Sequence, residues 1–143
     1  MEPERFPVLR QVVLDATDAR ALAEFYRQLL GFVYRPGDEA PPVGEPDPKD
    51  WLVLRDPTGT SRVAIQQVGA LRVSTWPDDD VPQQLHLDLT VPTTAALDEQ
   101  HGRAIALGAR LLLDRRDDPV EPLRVYADPA GHPLCLFVAD PPA

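Results

Sequence analysis

Apolar and polar residues alternate from Val8 to Thr17. Val8, Val12, Leu14 and Ala16 share one face of an extended chain, and Leu9, Gln11, Val13, Asp15 and Thr17 share the other. The pattern predicts a strand with one dry face. The period then changes: Asp18 precedes a segment in which Leu22, Phe25, Tyr26, Leu29 and Leu30 recur at helical spacing, and Gly31 supplies a stop. Phe32 to Arg35 can form a second strand. Pro36 to Asp50 holds five prolines and few apolar residues, so an exposed loop is expected. Trp51 to Arg55 and Arg62 to Val68 read as two more strands, joined through the turn signal Asp56-Pro57-Thr58-Gly59.

The same plan returns after a linker from Gly69 to Gln84 that is rich in Asp and Pro. Leu85, Leu87, Leu89 and Val91 alternate with His86, Asp88 and Thr90. A helix should follow, capped by Thr93 or Thr94, with Leu97, Ile105 and Leu107 on its apolar side and Gly108 at its end. Ala109 to Asp114, Leu123 to Ala127 and Pro133 to Val138 then read as strands, with Asp128-Pro129-Ala130-Gly131 before the last. QVVLDATD from Gln11 lies over HLDLTVPT from His86, which also sets Leu22 over Leu97. Two βαβββ modules, at about residues 8–68 and 85–138, thus predict an α+β fold with curved mixed sheets. Two units are too few for a solenoid.

At 143 residues the chain suits one domain, here spanning residues 1–143. A net charge of −9 opposes nucleic acid and anionic membranes, through repulsion where binding would need counterion release. A small molecule is the expected partner. The lone cysteine, Cys135, rules out an internal disulfide and fits a reducing compartment. Met1 to Pro7 is charged and lacks an apolar signal core, and no stretch approaches the roughly 20 apolar residues of a membrane span. A cytoplasmic protein is expected. The two serines, Ser61 and Ser74, lie outside any G-x-S-x-G motif, and no glycine-rich phosphate loop occurs, which sets aside serine hydrolase and nucleotide-dependent chemistry.

The paired modules, the strand-Asp-helix opening from Gln11 to Gly31, and the segments WLVLRDP, RVAIQQV, LHLDLTV and DPAGHPLCLFV resemble the vicinal oxygen chelate (VOC) superfamily, the glyoxalase and bleomycin-resistance-like proteins. The similarity is greatest to its bacterial glyoxalase-like domain branch. The resemblance implies that each module forms half of a cup and that metal-dependent members carry ligands, usually His, Gln and Glu, on the first and fourth strands of each module. In this sequence the first-strand positions are Gln11 and His86. The last-strand position of the second half is Cys135, where metal-binding relatives have Glu, and that of the first half is Ala64 or Gln66. Neither alternative is a carboxylate. Hard divalent ions need carboxylates to offset their lost hydration, and Cys, His and amides make an unusual zinc set. The resemblance therefore implies a protein without a tightly bound cofactor, a divalent metal being the lesser alternative.

Candidate binding residues are Gln11, Gln66, His86, Asp88, Trp51 and Phe137, with His86 and Asp88 the candidates for acid-base work. The blander alternative is that His86 merely satisfies Gln11 or Asp88. Asp15 is the acidic residue of the corresponding first-half strand; it and Asp88 form either a catalytic carboxylate pair or rim partners for arginine. Gln66 and Gln67 adjoin on one strand, so one of them faces the cup, and Gln66 is favoured. Cys135 between two leucines reads as a buried, inert thiol, and His101 and His132 as solvated or structural. Trp51, Trp76 and Phe137 could wall a ligand, although Trp51 could equally be core and Trp76 linker. If the cup forms, Gln11, Gln66, His86 and Asp88 should converge in it, with Val13, Ala64 and Phe137 lining the same space. The resemblance implies a homodimer that binds a small molecule, with two alternatives: a lyase, isomerase or dioxygenase-like VOC enzyme, possible metal assistance included, or a filled cup whose surface binds another protein.

Overall fold

The computed structural model describes residues 5–140, which divide between Val68 and Gly69 into two units, each with one helix and four strands. Residues 1–4, the start of the charged Met1–Pro7 stretch, lie outside the described residues, as do residues 141–143.

The first unit runs β1 (Val12–Ala16), α1 (Ala19–Leu30), β2 (Val33–Tyr34), β3 (Trp51–Arg55) and β4 (Ser61–Gln67). Its sheet has the order β1-β4-β3-β2, with β1 parallel to β4 and the other pairs antiparallel. The Asp18 carboxylate accepts from Ala21 N at 3.1 Å, and the Gln67 amide oxygen accepts from Ala19 N at 2.9 Å, so side chains satisfy two of the helix's free N–H groups. Gly31 closes the helix at φ 68°, a left-handed conformation that costs glycine little. The helix buries Leu22, Ala23, Phe25, Tyr26 and Leu29. Beneath it lie Leu14, Leu52, Leu54, Val63 and Ile65, which alternate along their strands as the pleat requires.

β1 starts four residues later than its alternation predicts, and Val8 and Leu9 are 86% and 87% exposed. A strand extends only as far as its neighbour, and β1 pairs from Val12↔Val63 onward, close to the start of β4. The loop after β2 is not uniformly exposed either. Because β2 has only two residues, Val53 on β3, paired with Ala64 on its other side, lacks a partner on the β2 side; its carbonyl accepts from Arg35 N at 2.9 Å and its N–H donates to the Asp38 carboxylate at 3.0 Å. Asp38 is consequently buried, with Arg35 at 3.1 Å and Lys49 at 3.6 Å.

The second unit contains β5 (Leu87–Val91), α2 (Thr94–Ala106), β6 (Arg110–Arg115), β7 (Leu123–Ala127) and β8 (Pro133–Val138). Its sheet order, β5-β8-β7-β6, and its strand directions repeat those of the first unit. β5 begins at Leu87 where Leu85 was expected, again because its partner β8 reaches no further than Pro133. Thr93 caps α2, accepting from Ala96 N at 3.0 Å. The expected apolar side of α2 is corrected: Ile105 is 42% exposed, while Leu97 and Ala104 are buried. Leu97, His101 and Ala104 lie at helical spacing on the sheet-facing side, and Ile105 is rotated by about 100° from Ala104. His101 Nδ1 lies 2.7 Å from the Tyr126 hydroxyl, and Arg124 reaches Asp98 at 3.1 Å and Asp114 at 3.3 Å.

The two Asp-Pro-X-Gly turns fold alike. The Asp56 carboxylate accepts from Thr58 N and Thr60 N, and the Asp128 carboxylate accepts from Ala130 N and His132 N. In each turn the glycine N–H donates to the aspartate carbonyl, and the aspartate N–H returns to the residue after the glycine. No helix among the described residues is long and apolar enough to cross a membrane.

Candidate functional site

Alternation within the second sheet separates its two faces. Tyr126 and Arg124 turn toward α2, so Leu123 and Val125 turn away from it, as do the residues beside them in register: Cys135 and Phe137 on β8, Leu113 and Arg115 on β6, Asp88 and Thr90 on β5. This open face carries a recess of about 240 Å³. Leu113, Leu123, Val125, Pro133 and Cys135 form its floor, and Trp76 and Gln83, from the segment before β5, form a wall. Arg115 stands at the β6 end and His86 at the β5 end.

The polar groups of this recess differ in how well they are satisfied. His86 Nε2 lies 3.1 Å from Asp88 Oδ1, an ion pair when the imidazole is protonated. That pairing is one of the two bland alternatives for His86. The amide oxygen of Gln83 is buried without a hydrogen-bond partner among the described residues. The Arg115 guanidinium makes no hydrogen bond or salt bridge among the described residues, though its field helps to keep the Asp118 carboxyl ionised. Burial, reinforced by the nearby charges of Asp88 and Glu121, pushes the Cys135 thiol up to about 11, so near neutral pH it is a neutral, weakly polar floor group.

Two other hollows lack an apolar floor beside an unpartnered buried amide, although Arg115 also borders the larger of them. One of about 360 Å³ lies against Glu24, Arg27 and Tyr34, where Glu24 already accepts from Arg27 at 2.7 Å and from the Tyr34 hydroxyl at 2.6 Å. The other, about 470 Å³, is bordered by Asp114, Arg116, Asp117 and Arg124, which are ion-paired through Asp98 or with one another.

In the first unit, Gln66 pairs with Trp51 on β3 and with Asp15 on β1, so these three share the face opposite α1. Gln67 points the other way, onto the helix N-terminus. Register also decides between Ala64 and Gln66. Val13↔Ala64 in the first sheet occupies the place of Asp88↔Cys135 in the second, so Ala64 is the counterpart of Cys135, and Gln66 is the counterpart of Phe137. The amide oxygen of Gln11 is buried and unpartnered among the described residues.

The recess is lined by the second unit, and of the six expected binding residues only His86 is in its lining. Asp88 acts as His86's partner, and Phe137 lies on the same face beside Leu123. Trp76, weighed in the sequence between ligand wall and linker, lies in the lining, whereas Gln83 and Arg115 were missed as site residues. For Arg115 a signal existed, since it shares strand parity with Leu113. The approach of Trp76 and Gln83 depends on the path of the linker, which leaves no periodic trace.

A divalent cation does not fit these donors. Ala64 offers none, and Cys135 is a thiol at the position where a hard ion needs a carboxylate. Among the described residues no three His, Cys, Asp or Glu side chains cluster as a metal ion would need.

A family model described as "Glyoxalase-like domain" matches residues 11–137. No curated protein matches the chain. Several solved structures do. A glyoxalase/bleomycin resistance protein/dioxygenase family enzyme from Burkholderia phytofirmans PsJN is 18% identical, with a TM-score of 0.63 over 90% of this chain and 96% of that one. The genomically encoded fosfomycin resistance protein FosX of Listeria monocytogenes is 14% identical, with a TM-score of 0.67 over 96% and 95%. A structure of the Listeria protein complexed with Mn(II) and sulfate is 15% identical, with a TM-score of 0.64 over 94% and 92%. At such identities the likeness is one of fold.

Proposed function

The chain belongs to the glyoxalase-like domain family, and from that premise we propose that it is a small-molecule binding protein of the VOC superfamily, whose ligand occupies the recess on the second sheet without a metal ion. One observation carries this reading: an apolar floor lies beside the buried, unpartnered amide oxygen of Gln83 and the exposed guanidinium of Arg115, which has no ion pair among the described residues. Apolar surface with a few directional polar groups is the usual makeup of a ligand site. The net charge of −9 suggests a cationic ligand, but the permanently charged group in the recess lining is Arg115. Overall charge is a poor guide to the field at one site.

The His86–Asp88 pair favours a second reading, a lyase-, isomerase- or dioxygenase-like enzyme in which this pair moves a proton. Binding ranks ahead because Cys135 is protonated and no second acid-base group stands opposite His86 in the lining. The test is a thermal-shift screen of small metabolites against the native protein and Val125→Phe, which fills the recess. Hits should stabilise the native protein and lose their effect in the filled variant. Equal shifts in both would move the site elsewhere, and turnover of a hit that disappears in His86→Gln would favour the enzyme.

The same proposal includes a cytoplasmic homodimer. β1 and β2 end one sheet, β5 and β6 end the other, and Phe6, Val8 and Leu9 are exposed, so edge and apolar surface are available to a second copy. Light scattering should give twice the 15.8 kDa chain mass, and a mass of one chain would contradict it.

A further inference from the structure

If the recess is the binding site, as proposed above, its polar groups also define what it binds. We infer that the ligand is a small organic anion with an apolar or aromatic body, its anionic group toward Arg115 and a hydrogen-bond donor toward Gln83.

The layout of the sheet supports this polarity. Arg115 aligns with Leu123 and Phe137 across the open face, the next row is Leu113, Val125, Cys135 and Asp88, and His86 precedes β5 beyond that row. The apolar floor therefore separates the guanidinium from the imidazole: their strands are three spacings apart and they lie two rows apart along the strands, about 20 Å between backbones. Both side chains reach inward over that span. A single-ring molecule laid on the floor can meet one at each end.

The two ends ask for different chemistry. Arg115 is a permanent cation with a planar fork of N–H donors and no salt-bridge partner among the described residues, which suits a carboxylate. The groups able to accept are the unpartnered Gln83 carbonyl in the wall and, at the His86 end, the Asp88 carboxylate. A buried carbonyl without a donor is costly, and a ligand O–H or N–H would relieve that cost. Asp88 and Glu121 hold negative charge near Cys135, which disfavours an anionic group in mid-floor and leaves the Arg115 end as its place.

Four probes that share one ring separate these requirements: para-hydroxyphenylacetate, phenylacetate without the donor, methyl para-hydroxyphenylacetate without the charge, and tyramine with the charge reversed. In calorimetric titrations the hydroxy acid should bind most tightly and tyramine least. Arg115→Gln should weaken the hydroxy acid by about tenfold and leave its ester nearly unchanged, and Gln83→Leu should remove about a fivefold preference for the hydroxy acid over phenylacetate. If the ester or tyramine binds native protein as well as the acid, and that binding is lost in Val125→Phe, the anion assignment is overturned while the recess stands. If the acid binds Val125→Phe and the second filling variant, Cys135→Phe, as well as it binds native protein, the recess itself is wrong. Absence of binding by all four probes at millimolar concentration also overturns the assignment.

Discussion

The two units share a topology and differ in how they use it. By the alignment of Gln11 with His86, Tyr26 on α1 corresponds to His101 on α2. Tyr26 is fully buried, edge-on to Phe25 with ring centroids 4.9 Å apart, whereas His101 bonds the Tyr126 hydroxyl. Leu29 likewise corresponds to Ala104. The first unit thus buries the larger apolar helix face, with polar ties at Ala19 and Glu24, while the second buries Leu97 and Ala104 and adds His101 to Tyr126 and Asp98 to Arg124, whose side chain is only 11% exposed. The open faces of the sheets diverge too. The counterpart of Ala64 is Cys135, and the second unit adds Trp76, Gln83 and Arg115 around that position. A shared fold therefore does not distribute function evenly between its halves.

The largest test of this contrast is at the helices. Tyr26→Ala should cost about 3–5 kcal/mol, as for removal of any large buried aromatic. His101→Ala should cost about 1–2 kcal/mol, the loss of one hydrogen bond to a buried hydroxyl. Urea midpoints measure both, and equal losses would erase the distinction between the two helix faces. The turns supply a smaller test. Gly59 and Gly131 sit at φ 87° and 95°, but a Cβ at Gly59 meets open space and one at Gly131 overlaps Val73 Cγ1. Gly59→Ala should cost about 1 kcal/mol from backbone strain alone. Gly131→Ala should cost about 1–2 kcal/mol more by overpacking, part of it recovered in the double variant with Val73→Ala. The caps should behave alike, Asp18→Ala and Thr93→Ala each costing about 1 kcal/mol.

The smallest effect is confined to alkaline pH. Cys135 titrates near 11 in the folded chain and near the usual thiol value when unfolded, so between those values the unfolded state has lost a proton that the folded state keeps. Its contribution to stability is complete below the usual thiol value and is lost as pH rises toward 11. Iodoacetamide should correspondingly label native Cys135 slowly at pH 9 and the urea-unfolded thiol quickly. Equal rates would mean that the floor of the recess is wetter than described.

Much of this fold was legible in the sequence. The strands Trp51–Arg55, Leu123–Ala127 and Pro133–Val138, both Asp-Pro-X-Gly turns, and the Gly31 end of α1 follow from alternation and cap chemistry alone. Local pattern failed where a partner element decides the outcome. Val8, Leu9 and Leu85 alternate correctly but have no neighbouring strand, Asp38 is buried because β2 is too short to satisfy Val53, and Ile105 yields its place to Ala104. The site was read less well for the same reason. His86 and Cys135 were placed by the family resemblance laid over the strand pattern, but Trp76 and Gln83 reach the recess through linker geometry, and the strand expected to end at Asp114 stops one residue short of Arg115.

The most direct measurement is a crystal structure of the protein grown with para-hydroxyphenylacetate. The account predicts one molecule on the floor of Val125 and Cys135, its carboxylate on Arg115 and its hydroxyl donating to Gln83 Oε1. A molecule seated instead on the first sheet beside Gln66 and Trp51, or a recess closed by the protein's own side chains, would contradict it.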